Sequence, residues 1–549
     1  MASRPEKLIV GNKWLITLPV MLAALTAVLD ASIVNVAIPN MQSSFGAGVD
    51  EIDWVITGYL ISNVIIIPTT GWMSSIFGLK RYFAISQLVF VLASFLCGIS
   101  WNLPSLIFFR ILQGIGGGAI LPVALTIMLE AFPPTEFAIA SAMFGIGATL
   151  GPAIGPTLGG WLTDTLSWQW IFFVNVPIVA VSICLSELFI GENRAVLAKR
   201  RGAPIDIWGL LTVAFWLGSM QIVLQEGQKD GWFGSGFIVT LTLLSVASLV
   251  AFLIIELRIE HPLINLRIFA NRNFALGSFA GAMLGAALFG AIFILPLFAG
   301  NLLHYTAFQI GLLLLPAALV SLALFPVVGR LGSWLDPRWM MAIGVALFVA
   351  SLYGNGFIDT HTSNAHLVWL QILRGAALPF LFTSVGSLAL TGLKPRERAD
   401  GSSLFNLTRT LGGSIGIAVI ATTLIDRQRF HFERFGEYVT QFALSTRSQL
   451  SRLGAGLHGH GTNPVSAPHQ ASAVLYGQLT QAAYVKAFDD VALGLALLFA
   501  TMLLLIPLFK TPAHMRQAGP PAAIEQLAQA RKSGFADALL QRVDEVFRA

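Results

Sequence analysis

Residues 14–39 read WLITLPVMLAALTAVLDASIVNVAIP. One ionisable side chain, Asp30, interrupts a run otherwise built from apolar and small residues. A helix crosses the hydrocarbon core of a bilayer with about 20 residues. This run is long enough to cross and too long for the apolar core of a cleaved leader, so it reads as a membrane helix. An acid at its centre costs roughly 2.5–3.5 kcal/mol on insertion scales, which makes Asp30 a functional residue by default. The competing reading is a buried ion pair that only fixes packing.

Comparable runs recur near 52–70, 82–100, 105–129, 137–162, 169–190, 206–225, 237–256, 274–300, 309–329, 339–358, 366–391, 401–424 and 488–509, so the spacing predicts fourteen membrane helices. Composition agrees. Hydrophobic residues form 55% of the 549 and charged residues 11%, against roughly 25% charged in soluble proteins. So few charges could not cover a soluble fold of this size. The net charge of +5 reflects topology here and gives no reason to expect a nucleic-acid partner. Cys97 and Cys184 both fall in apolar runs, so neither a disulfide nor a metal site is expected.

Basic residues fix the expected orientation. An even number of helices puts both ends of the chain on one side. Loops on that side carry Lys80 and Arg81, then Arg194, Lys199, Arg200 and Arg201, Arg258, Arg267 and Arg272, Arg330 and Arg338, and Lys394, Arg396 and Arg398. The short loops opposite carry almost only Lys229. The positive-inside rule then makes both termini cytoplasmic. One far-side loop, 426–486, is long, with helical flanks and a middle rich in Gly, His, Pro and Ser. His458, His460 and His469 could hold a metal, but a solvated loop is the preferred reading. The tail 511–549 is polar and periodic, fit to lie on the membrane surface.

The chain also repeats itself at an offset of about 261. Arg110-Ile-Leu-Gln113-Gly114 faces Gln371-Ile-Leu-Arg374-Gly375, with Arg and Gln exchanged. Ser141, Phe144, Thr149, Gly151 and Gly155 reappear as Ser402, Phe405, Thr410, Gly412 and Gly416, and Gly71 falls on Gly332. An ungapped register over three helices implies two related halves. The expected organisation is a six-helix half over 1–190, a linker with two inserted helices over 191–273, and a second six-helix half over 274–510. Repeats of this kind bind substrate at the midplane between halves that rock about it.

Several motifs carry a resemblance. They are Leu29-Asp30-Ala31-Ser32-Ile33-Val34-Asn35-Val36-Ala37-Ile38-Pro39, the Arg110–Gly114 run with Gly116 to Gly118, and Gly147-Ala-Thr-Leu-Gly151-Pro152-Ala-Ile-Gly155-Pro156-Thr-Leu-Gly159-Gly160. With them the chain resembles the major facilitator superfamily, and within it the fourteen-span drug:proton antiporters of the EmrB/QacA type. The resemblance implies an all-α integral membrane protein with the major facilitator fold. It implies a secondary active exporter that is no enzyme, uses no cofactor beyond a proton gradient, and sits in a bacterial inner membrane. Arg110 resembles the superfamily arginine linked to proton coupling, and the Gly151-Pro152, Gly155-Pro156 helix resembles the antiporter motif of exporters. The loop from Gly71 to Arg81 keeps the family's Gly71, Gly78, Lys80 and Arg81 but has Ser75 where the family has Asp. Asp336 holds the equivalent place in the second half, where some of the gating charge is expected to have moved. The flank 478–490 is similar to the EmrB branch, which implies docking to a periplasmic membrane-fusion adaptor and through it to an outer-membrane channel.

Physical reading of the same residues points the same way. At 1.5 Å per residue, Asp30 and Arg110 lie at similar depths, roughly 24 and 22 Å from the cytoplasmic face of a ~30 Å core. A carboxylate whose cationic partner comes and goes suits a proton carrier. Arg374 and Arg409 are further cations inside the spans, with no second deep acid. Glu130, Glu187, Asp206 and Glu256 are expected near span ends, within reach of solvent. That balance favours lipophilic weak acids or neutral molecules as cargo over dications; capping of backbone carbonyls by both arginines stays open. Asn35, Trp54, Tyr59, Gln113, Phe144, Phe405 and Asn406 are candidate cavity walls beside Arg374 and Arg409. No Walker A motif suggests ATP drive. A channel and an exporter dedicated to one metabolite or lipid precursor are the competing functions.

Overall fold

The computed structural model describes residues 9–192, 206–259, 262–332, 335–394, 397–440, 442–459 and 467–510. Among them, fourteen helices are long and apolar enough to cross a membrane. The first half comprises α1 (Lys13–Phe45), α2 (Trp54–Phe77), α3 (Leu79–Gly98), α4 (Leu103–Ala131), α5 (Phe137–Thr165) and α6 (Asn175–Phe189). The inserted pair is α7 (Ile207–Glu226) and α8 (Gly236–Arg258). The second half comprises α9 (Arg272–Asn301), α10 (Ala307–Leu331), α11 (Pro337–Asn355), α12 (Asn364–Leu390), α13 (Arg398–Gly436) and α14 (Ala467–Ala500). Basic residues 194 and 199–201, Arg396, His460 and the tail 511–549 lie outside the described residues.

The side on which α1 begins is called here the terminus side. A two-residue antiparallel pairing, Ile9–Val10 with Gly191–Glu192, ties the start of α1 to the end of the first half there. Within each half the repeat shows as equivalent packing: α1 lies on α5 as α9 lies on α13. The halves meet along two seams, α5 with α10 and α2 with α13. The inserted pair packs on itself, and α7 leans on α2. Large apolar side chains of α8, such as Leu243 and Leu257, are 66% and 59% exposed, which only lipid can solvate.

Two helix ends differ from the sequence expectation. α13 has 39 residues and α14 has 34. At 1.5 Å each they run to about 58 and 51 Å, well beyond a ~30 Å core. The segment 426–486 is therefore mostly helix: the end of α13, a surface helix Leu444–Gly459, and the start of α14. Hydropathy windows see only the apolar part of such helices. Arg427 Nε and His431 Nε2 on α13 both hold Asp490 Oδ2 on α14, at 2.6 and 2.7 Å.

Glycines let α5 touch α1. A Cβ on Gly151 would lie 2.6 Å from the Leu29 backbone nitrogen, and Ser32 Oγ donates to the Gly151 carbonyl at 3.1 Å. Backbone cannot yield as a side-chain tip can, so Gly151→Leu is expected to cost about 3 kcal/mol or more. A lowered melting temperature and loss of monodisperse protein would show it; unchanged melting would refute the close approach.

Lys229 is tied down at the turn between α7 and α8. It pairs with Asp53 and, at 3.5 Å, with Glu226. Burial pulls its pKa down, but the Asp53 hydrogen bond and both carboxylate charges outweigh that and hold it above the ordinary lysine value. A raised lysine pKa means the tether is present below the unfolded value and is lost only as pH climbs through the folded one. Hydrogen exchange of 227–235 is thus expected to show no loosening of this turn between pH 5 and 9.

Candidate functional site

The structure brings Asp30 and Arg110 together in the interior of the first half. Arg110 Nη1 donates to Asp30 Oδ2 at 2.7 Å, with the two side chains 1% and 0% exposed. Gln113 Nε2 and Asn175 Nδ2 donate to Asp30 Oδ1 at 2.8 and 2.7 Å. Arg110 is held in turn: Nε donates to the Val55 carbonyl at 3.1 Å, Nη1 also reaches Gln113 Oε1 at 2.7 Å, and the guanidinium lies 4.2 Å over the Tyr59 ring. Helix periodicity puts Arg110 and Gln113 on one face of α4, three residues apart. Three donors on one buried carboxylate, one of them charged, make a strong cage.

Sequence reasoning places Asp30, Arg110, Gln113 and Tyr59 among the candidates but misses Asn175, Ser94 and Cys97. Asn175 Nδ2 also donates to Ser94 Oγ at 3.0 Å, and Cys97 Sγ lies 3.7 Å from Gln113 Oε1. The available signal is an Asn at the start of a span otherwise poor in amides.

The other candidates divide by location. Phe144, on α5, lies 5.7 Å from the Arg409 guanidinium of α13, and Phe382 lies 5.5 Å from it. Asn406 Oδ1 accepts from Arg409 Nη2 at 2.8 Å, and buried Phe405 packs against Gly281. Arg374 is buried nearer the far side. Asn35 is exposed on α1, and Trp54 lines a far-side cleft of about 430 Å³ with Phe45, Glu51 and Asn102. These two stand apart from the ion-pair cage.

On the terminus side both seams are shut. Thr70 and Ser403 share a hydrogen bond, Ser402 Oγ donates to the Pro122 carbonyl at 2.8 Å, and Gly71 is pressed against Asp400. Arg398 of the second half faces Glu130 of the first at 3.6 Å and stacks 5.1 Å from Phe137. Along the other seam, Gly329 of α10 and Gly332 just past its end abut Ala142 and Ala138 of α5.

This geometry departs from the gating expectation. Asp336 caps α11 and pairs at 2.8 Å with Arg338, two residues on in its own half. Ser75 Oγ donates to the Trp72 carbonyl within its helix at 2.7 Å. Lys80 pairs at 2.9 Å with Glu187 in its own half, Gly78 adopts φ 89° against Glu192, and Arg81 is exposed. Charge crosses the seam through Arg398 and Glu130, which the sequence does not single out as a pair. Glu130, Asp206 and Glu256 are 5%, 7% and 3% exposed, buried by neighbouring protein instead of solvated. Span position gives depth in the membrane; it does not say what packs alongside. Stranding a buried Glu130 costs about 3–5 kcal/mol. Arg398→Ala is therefore expected to loosen this end, seen as faster hydrogen exchange over 398–409, and Glu130→Gln in the same chain to reverse most of it.

Comparisons with known proteins bear on this arrangement. A sequence profile described as Major Facilitator Superfamily matches residues 20–417. The multidrug export protein EmrB of Haemophilus influenzae is 31% identical over 91% of this chain and 96% of its own length. Its Escherichia coli counterpart is 32% identical over 91% and 95%. The fatty acid resistance protein FarB of Neisseria gonorrhoeae is 29% identical over 91% and 96%. Among solved structures, the human organic anion transporter MFSD10 shares the fold at TM-score 0.59, with 12% identity over 90% of this chain and 99% of that one.

Proposed function

The chain belongs to the major facilitator superfamily, and from that premise we propose that it is a proton-driven multidrug exporter of lipophilic compounds, with Asp30 as the proton-carrying group and Arg110 as its partner. The relatives named for multidrug export and fatty acid resistance support the class of cargo. The observation that carries the coupling is the Asp30 cage. The buried carboxylate, held by one guanidinium and two amides, supplies the only countercharge shown for Arg110 among the described residues. Protonation removes the charge that Arg110 needs, so the proton and the arrangement of α1 and α4 are tied to one another. Protonation from the far side, rocking of the halves, and release to the terminus side would link proton entry to export. About 100 mV supplies ~2.3 kcal/mol per charge, and each pH unit adds ~1.4. One proton could then sustain a gradient of a hundredfold or more for neutral cargo.

In this reading the terminus side is cytoplasmic, the membrane is a bacterial inner membrane, and the shut seams block passage to the cytoplasm. The helical projection from α13 and α14 carries exposed Tyr438, Phe442, Leu444 and Tyr476, apolar surface beyond the bilayer suited to a periplasmic adaptor. Proteoliposomes loaded with a lipophilic substrate test the core of the proposal. Uphill transport is expected only under an imposed pH gradient or potential and is abolished by a proton ionophore; transport indifferent to both would overturn it.

A further inference from the structure

In the first half, the buried guanidinium of Arg110 is neutralised by Asp30. The repeat offset of 261 carries Gln113 onto Arg374 and Asp30 onto Ala291. Arg374 obeys that correspondence: its Nη1 donates at 3.3 Å to the carbonyl of Ala291, where the first half has a carboxylate. The second half has kept the cation and lost the counter-charge. Among the described residues no carboxylate pairs with Arg374, although it is only 7% exposed.

A buried cation needs a compensating charge. Arg374 borders two small cavities. One, of about 30 Å³, lies at the seam between the halves beside Thr149 and Pro152 of α5 and Leu288, Ala317 and Ser321 of the second half. The other, of about 10 Å³, lies within the second half beside Gln371, Ser351 and Asn355. Thr149 and Ser321 spend their hydroxyl protons on the carbonyls of Gly145 and Gly375, at 2.5 and 2.7 Å. The guanidinium is left as the strong donor at the seam. The seam cavity has room for a water molecule or two, or one halide ion, and its remaining walls are apolar.

We propose that Arg374 forms a monoanion site at the seam between the halves. A halide-sized anion supplies the missing charge while the halves are closed, and the anionic group of a cargo molecule takes its place when they part. The cargo half of this statement rests on the export reading; the halide half does not.

The test uses the purified full chain in detergent, exchanged into gluconate, with melting temperature as the readout. Sodium bromide is expected to raise it by about 2 °C or more. Arg374→Gln should show no such rise. Ala291→Asp restores the counter-charge internally, so it should melt no lower than the parent in gluconate and ignore bromide. Decanoate, but not decanol, should replace the bromide effect. If decanoate fails to do so while bromide stabilises, the cargo half falls and the site takes inorganic anions alone. If bromide does nothing to the parent, or acts equally on Arg374→Gln, the proposal is overturned. None of these measurements involves a proton gradient, so their failure leaves gradient-driven export standing, and the reverse.

Discussion

Asp30→Asn is expected to abolish uphill export while leaving downhill movement of substrate through the protein. The amide that replaces the carboxylate keeps an oxygen that can accept from Arg110, but it can neither carry nor release a proton. The lost quantity is the work of one proton, which at ~100 mV and one pH unit corresponds to a gradient of a hundredfold or more. A second effect travels with it. Arg110 would be left 1% exposed and without a charge partner, and breaking a buried pair from one side costs about 3–5 kcal/mol. Lower stability could then pass for lost coupling. Arg110→Gln placed on Asp30→Asn separates the two, because it removes the stranded charge. The double variant should recover much of the melting temperature and still fail to export uphill. Accumulation by Asp30→Asn equal to that of the parent under the same gradient would sink the role assigned to Asp30.

Gly71→Val is expected to hold the terminus side open. A Cβ at Gly71 would lie 2.2 Å from Asp400 Oδ1 and 3.1 Å from its Cα, so both side chain and backbone of α13 must retreat. Overpacking of this kind costs about 1–3 kcal/mol. That cost falls only on the closed state, since the contact exists only when α2 meets α13. The closed-to-open ratio should drop by about 5- to 150-fold, because ~1.4 kcal/mol is a factor of ten. A cysteine replacing Ser403, which faces Thr70 across the same seam, gives the readout in a chain with Cys184 removed. Its labelling by a membrane-impermeant thiol reagent from the terminus side should rise steeply in Gly71→Val and less in Gly71→Ala. Equal labelling in all three would show that this contact does not govern closure.

The two predictions draw on different kinds of information. Asp30 stands out in the sequence because an acid inside an apolar run is expensive in lipid wherever the helix packs. The same reasoning exposes Arg110, Arg374 and Arg409. Asp400 has no such signal, because an acid beside a loop is ordinary until a glycine from the other half is found against it.

The number of spans and the two-fold repeat are legible in the residue order without any coordinates. Those properties follow from bilayer thickness and residue order, which act on each helix separately. The shared depth of Asp30 and Arg110 is legible in the same way, since helical rise is constant. Which groups meet is a matter of tertiary packing. Packing joins Asn175 to Asp30 across 145 positions and Arg398 to Glu130 across the seam, and it keeps Asp336 with Arg338 in its own half. It also sets Arg374 against the carbonyl of Ala291, where the repeat lacks its acid. Lipid favours any apolar face alike, so lateral neighbours are chosen by close packing of small residues and by the matching of buried polar groups. Both depend on atoms far apart in the chain.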